Sequence, residues 1–155
     1  MDERERKHYI AMYRDGYNQV VQALAGASDA DLDKREAPGE WSPREIVHHL
    51  ADSEMTSAIR FRRVLVEDAP LIQGYDQEAF ARLLFYDRPI AASLEAFRFA
   101  RESTAAMFEY MHDEQWKRGG THTESGPYLL EDWLRIYGVH AHEHADQIRR
   151  ARAAS

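Results

Sequence analysis

His140 and His144 stand four residues apart in a stretch of helical pattern. Each helical residue turns the chain by about 100°, so the two rings are offset by about 40° and lie one turn apart. Imidazoles placed this way can reach a single ion. His142 lies about 160° from His140 on the same wheel and points away. On an earlier helix, His49 follows Ile46 by three residues and precedes Ser53 by four, which puts it on the apolar side. Its neighbour His48 is turned by about 100° and does not share that direction.

A lone inward histidine is usually a core residue with a satisfied ring. Three that converge need a common partner, because burying unpaired imidazoles is costly. A divalent cation satisfies all three ring nitrogens together. The reading is therefore a metal held by His49, His140 and His144. Three protein ligands leave at least one coordination position for water or substrate, as expected of a catalytic ion. Asp52, one turn beyond His49, is a candidate to orient a ligand or to serve as a base. Arg60 follows His49 by eleven residues, about 20° away on the wheel and three turns along, and is a candidate pocket wall. The other arginines of Arg60-Phe61-Arg62-Arg63 read as a solvated face. His8, His112, His122 and His142 read as surface residues, and Trp133 with Tyr137 as ordinary core.

Four helical stretches must position these residues. The first runs from about Glu3 to Leu24, with Tyr9, Met12, Tyr13, Tyr17, Val20, Val21 and Leu24 at steps of three and four. The second starts at Ser42-Pro43-Arg44-Glu45, an N-cap serine, a proline at the first position and a capping-box glutamate. It runs to about Val66, with Ile46, His49, Leu50, Ser53, Ile59, Phe61 and Val64 toward the inside. Residues 67–88 read as a long loop with a short helix near Glu78 to Leu84, and loops of that length often line a site. Pro89 opens the third helix, which carries Leu94, Phe97, Phe99, Ala100, Met107, Phe108 and Met111. The last spans about Leu129 to Arg152, with Trp133, Tyr137, His140, His144 and Ile148 on one stripe. Alternation never persists, so no β-strand is expected. The expected fold is all-α, a four-helix bundle in one domain spanning residues 1–155.

Composition narrows the function classes. The chain has 155 residues, 44% hydrophobic and 30% charged, which suits a folded soluble domain. A net charge of −7 disfavours binding to nucleic acid or to an anionic membrane. No apolar run approaches the roughly 20 residues of a membrane span. The start, MDERERKHYI, lacks a signal-peptide core, and the expected location is cytoplasmic. There is no cysteine, so any metal must be held by His, Asp or Glu, and no disulfide staples the fold.

Two segments carry a family likeness. Glu40-Trp41-Ser42-Pro43-Arg44-Glu45-Ile46-Val47-His48-His49-Leu50-Ala51-Asp52-Ser53 resembles the second-helix motif of the DinB/YfiT-like superfamily. His140-Ala141-His142-Glu143-His144-Ala145-Asp146-Gln147-Ile148 resembles its last-helix motif. The likeness spans nearly the whole chain and is strongest to the YfiT group, through the Arg60-Phe61-Arg62 tract and the Tyr75-Asp76 pair. It implies a four-helix bundle, commonly dimeric, with a three-histidine site for zinc or nickel. The matching ligands are His49, His140 and His144, the same positions the helix wheel selects.

The resemblance implies two activities. Members of the YfiT group are classed with metal-dependent hydrolases, and better-defined relatives are S-transferases that use bacillithiol or mycothiol. The expected function is thus a metal-dependent enzyme acting on a small molecule, in which the ion binds water or a thiol and lowers its pKa. The alternative is a non-enzymatic, metal-stabilised structural or ligand-binding bundle. A nucleic-acid role is disfavoured by the acidic charge.

Overall fold

The computed structural model describes residues 1–154. Four long helices carry the fold: α1 (Glu3–Leu24), α3 (Pro43–Val66), α5 (Ala91–Ala105) and α7 (Leu130–Ala153). Shorter elements fill the connections: α2 (Asp29–Leu32), β1 (Leu71–Ile72), α4 (Gln77–Leu83), α6 (Asp113–Trp116), β2 (Gly119–His122) and β3 (Gly126–Leu129). The bundle and its start signals match the sequence reading. At α3, Ser42 Oγ accepts from the Glu45 amide at 3.3 Å, while the Glu45 carboxylate accepts from the Ser42 amide at 2.8 Å. Pro43 costs nothing at the first helical position, where its missing N–H would have no partner.

α3 and α7 run antiparallel, and their register places the histidines. Trp133 Nε1 donates to the Ser57 carbonyl at 3.0 Å, so about two turns back along α3 meet about two turns onward along α7. His49 therefore faces His140 and His144. The apolar core forms two clusters, one around Tyr13, Phe61, Phe108, Trp116 and Trp133, the other around Val20, Ile46, Leu50, Phe97 and Ile148. A polar layer divides them. Arg101 is 2% and Glu54 1% exposed, and the two charges pair with each other. Arg101 donates to Glu54 Oε2 at 2.6 Å, to the Tyr13 carbonyl at 2.6 Å and to the Tyr137 carbonyl at 2.7 Å. The Tyr13 hydroxyl donates to the other Glu54 oxygen. Gly16 makes room for this layer: a Cβ there would stand 2.8 Å from Arg101 Nη2 and 2.7 Å from Ala141 Cβ.

Several expectations need correction. Among the described residues three strands pair in the order β1-β2-β3, with β1 and β2 parallel and β2 and β3 antiparallel. They are two to four residues long, too short for alternation to register, and they depend on backbone fit. A Cβ at Gly120 would lie 2.2 Å from the Pro70 carbonyl oxygen, so only glycine lets the strands close. The third helix does not continue to Met111: it tightens into a 3₁₀ turn over Ala106–Tyr110. Ile59 lies 62% exposed rather than inside, and Phe99 is 55% exposed. His122 is buried against the Tyr128 ring instead of lying on the surface. His142 is half-buried and bonds the Met12 carbonyl at 2.9 Å. The arginines near Phe61 are stitched rather than merely solvated, Arg62 to Thr104 and Arg63 to Glu67 and the Leu71 carbonyl.

Candidate metal centre

The three histidines converge. One nitrogen from each of His49, His140 and His144 lies within 4.8 Å of the other two. His49 and His140 turn their Nε2 atoms toward each other at 3.3 Å. Two nitrogens bound at about 2.0–2.1 Å to one tetrahedral ion stand about 3.3 Å apart, so this pair already has ligand spacing. A shared proton would join only two of the rings. An ion accounts for the third.

The surroundings prepare the rings to ligate. Burial first, and then the neighbouring His144, push the His49 pKa down to about 3. His140 is held well below the ordinary value, first by burial and then by His144 and His49. His144 is lowered by burial as well. The rings are neutral at pH 7, the form that binds metal. His144 Nδ1 lies 2.9 Å from Gln147 Oε1, which assigns the proton to Nδ1 and leaves the Nε2 lone pair free. Trp41 packs on His49 at 4.6 Å between ring centroids and lies nearly parallel to the His144 ring at 6.5 Å. Tyr137 closes the other side, edge-on to His140 at 5.8 Å.

The centre opens on one side. A cavity of about 320 Å³, lined by Glu40, Trp41, Gln77, Glu78, His144 and Gln147 among others, reaches the His144 edge. That is within the usual size of small-molecule sites, about 300–1,000 Å³. Gln77 and Glu78 belong to the first turn of α4, so the segment after α3 does line the site. The small sheet fixes that segment: the Thr121 amide donates to the Pro70 carbonyl at 3.0 Å, and the Gly74 amide to Thr123 Oγ1 at 2.9 Å.

The other candidates fall into place around this centre. His48 is fully buried but turned to α5, its ring nitrogens 2.7 Å from Ser93 Oγ and 3.0 Å from the Arg88 carbonyl. Asp52 accepts from the Tyr86 hydroxyl at 2.7 Å, and among the described residues no hydrogen bond joins it to the three histidines. Burial, and then this carboxylate, push the Tyr86 pKa up. Arg60 lies with its guanidinium 5.6 Å from the centre of the Tyr75 ring and donates to the Gln73 carbonyl at 2.6 Å. Its Nε is buried and has no hydrogen-bond partner among the described residues. Sequence reasoning missed Gln147, Trp41 and the Glu54–Arg101 pair. Gln147 was accessible in principle, being three residues after His144 and so on the same helix face.

Comparison with known proteins agrees with this geometry. The DinB superfamily profile matches residues 12–148. A Bacillus subtilis (strain 168) protein named "Putative metal-dependent hydrolase YfiT" is 32% identical over 148 residues, covering 93% of this chain and 82% of that one. A protein of Oceanobacillus iheyensis with the same hydrolase name is 30% identical over 121 residues, covering 78% of this chain and 70% of its own. The solved structure of Bacillus subtilis YfiT, described as having an unusual four-helix bundle topology, superposes with a TM-score of 0.89 at 31% identity over 96% of this chain and 86% of that one. With the profile, the relatives, the bundle and the three-histidine group in agreement, the chain belongs to the DinB superfamily.

Proposed function

We propose that this chain is a metal-dependent hydrolase of small molecules, with zinc or nickel held by His49, His140 and His144. The observation that carries the reading is the convergence of three neutral rings beside an open cavity. The hydrolase names of its relatives support it. When bound, the ion supplies Lewis-acid chemistry, lowering the pKa of water and polarising a substrate oxygen. The protein's own part is to hold the rings neutral, to fix the His144 tautomer through Gln147 and to cover the site with Trp41. Asp52, held by Tyr86, is assigned the role of charged neighbour or base. Arg60, with its unpartnered Nε beside Tyr75, is assigned to the substrate pocket.

A second reading is transfer of a low-molecular-weight thiol such as bacillithiol or mycothiol. It is favoured by the absence, among the described residues, of a carboxylate bonded to the three histidines. Hydrolysis gains from a nearby base, whereas a thiol made acidic by the ion needs none. The deciding experiment is turnover by zinc- and nickel-loaded protein on ester and amide panels, against bacillithiol or mycothiol with an electrophile. Metal-dependent ester or amide hydrolysis supports the first reading. Turnover only with thiol replaces it with the second, and none in any panel removes both in favour of a non-catalytic metal bundle.

A further inference from the structure

A second cavity lies on the other face of the bundle, in the seam between α1 and α5. Its volume is about 380 Å³, and it is lined by Arg14, Tyr17 and Asn18 from α1 and by Arg98, Arg101, Glu102, Ala105 and Ala106 from α5 and the turn after it. Both sets follow helical spacing, three and four residues apart, so each helix turns one continuous face to the seam. The cavity exists because the side chains there are unsuited to close it. Arg101 takes the position where a bundle would place an apolar knob, and its head is drawn inward to Glu54 and two carbonyls. Ala105 and Ala106 are too small to fill what remains.

The lining is part apolar and part charged, with Asn18 and the Glu102 carboxylate beside its guanidinium groups. Tyr17, packed toward Phe97 at 6.0 Å between centroids, and the two alanine methyls give apolar walls. The rim carries two guanidinium groups, Arg14 and Arg98. Arg14 pairs with Glu109 at 3.0 Å, and Arg98 with Glu95 at 2.5 Å and Glu102 at 3.6 Å while lying 4.0 Å from the centre of the exposed Phe99 ring, all of them open to solvent. Accessible pairs of this kind contribute little, so Arg14 can exchange Glu109, which is not part of the lining, for an incoming anion at small cost, while Arg98 keeps Glu102 and adds the anion on its open side. Arginine is also suited to two-point contact with a carboxylate or sulfonate. Buried Arg101 adds a positive floor, though Glu54 balances it.

From this we infer a second ligand site, separate from the metal centre, for a small organic anion: a carboxylate or sulfonate on a flat apolar body of one or two rings. The body fits between Tyr17 and the alanines, and the acid group meets Arg14 and Arg98. An occupant would touch Arg101, whose Nη2 holds the Tyr137 carbonyl on α7, one turn before His140.

The test is a fluorescence titration of the metal-loaded full chain with anilinonaphthalene sulfonate, an anion of this class. The expected result is saturable binding at one probe per chain. Arg14→Gln with Arg98→Gln weakens it at least tenfold, and Ala106→Trp, at an exposed position that fills the cavity, does the same. His49→Ala, which disables the metal centre, leaves it unchanged. In the unmodified protein the Asn18 side-chain amide shifts in NMR spectra on titration, a readout independent of whether the variants fold. The inference is overturned by unsaturable binding, by undiminished binding in the folded cavity variants, by loss of binding in His49→Ala, or by an unmoved Asn18 amide.

Discussion

Gln147 sits one turn beyond His144 on α7, with its Oε1 2.9 Å from the His144 Nδ1. That contact decides which ring nitrogen is presented to His49 and His140. Replacing it with leucine keeps the bulk and removes the acceptor. Gln147→Leu is expected to lower metal affinity about 10- to 100-fold, the usual effect of losing such an orienting partner. Competition with a chromophoric chelator measures it, and unchanged affinity would remove Gln147 from the site.

The proposed site divides the histidines into ligands and structural residues. His49→Ala, His140→Ala and His144→Ala should each abolish stoichiometric metal in elemental analysis. His142→Ala and His48→Ala should retain it. His48→Ala should instead lose about 1–3 kcal/mol in urea unfolding, because Ser93 Oγ and the Arg88 carbonyl lose a buried partner. Metal loss in His142→Ala would contradict the face assignment.

The metal-free protein should weaken as the solution is acidified. His49 titrates near pH 3 in the folded chain, against 6.5 for an ordinary imidazole, and His140 is depressed too. Between those values the unfolded chain takes up protons that the folded chain refuses. Stability is therefore complete above about pH 6.5 and falls toward pH 3. Urea midpoints of chelator-treated protein at pH 7.5 and pH 5 should show the loss, and His49→Phe should reduce it. Loaded protein should release its ion in the same direction, since only neutral rings ligate.

The Glu54–Arg101 layer should behave as a unit. Arg101→Met alone strands the Glu54 carboxylate, and Glu54→Leu alone strands a guanidinium. Each should cost about 3–5 kcal/mol in equilibrium unfolding. The double variant should cost less than the sum. Simple additivity would mean that the two charges do not depend on each other.

Arg60→Gln should raise KM at least fivefold on any substrate found by the activity panels, with kcat and metal content little changed. Arg60 is assigned a binding role, and loss of uniform binding appears in KM. A fall in kcat alone would move Arg60 out of substrate binding.

The convergence of the three histidines was legible in the sequence because a helix wheel is a reliable ruler over one or two turns. It placed His140 with His144 and turned His48 and His142 away, as the structure has them. The wheel gives direction but not what lies there. His142 points away from the centre yet is half-buried, because α1 covers that side and offers the Met12 carbonyl. The three strands escaped because two to four residues with glycines carry no periodicity, and their pairing depends on a close approach at Gly120. Arg101 escaped for a different reason: a charged residue within an apolar stripe reads as exposed until its partner on another helix is known.

His49 and His140 are 91 residues apart in the chain. An ion gripped by both is a clasp on a long loop, in a protein that has no cysteine to make one. Closing a loop of that length restricts the unfolded chain more than it does the native one, whatever reaction the ion supports. Amide exchange on α3 and on the C-terminal half of α7 should therefore slow together when metal is added, including turns that never touch the ion.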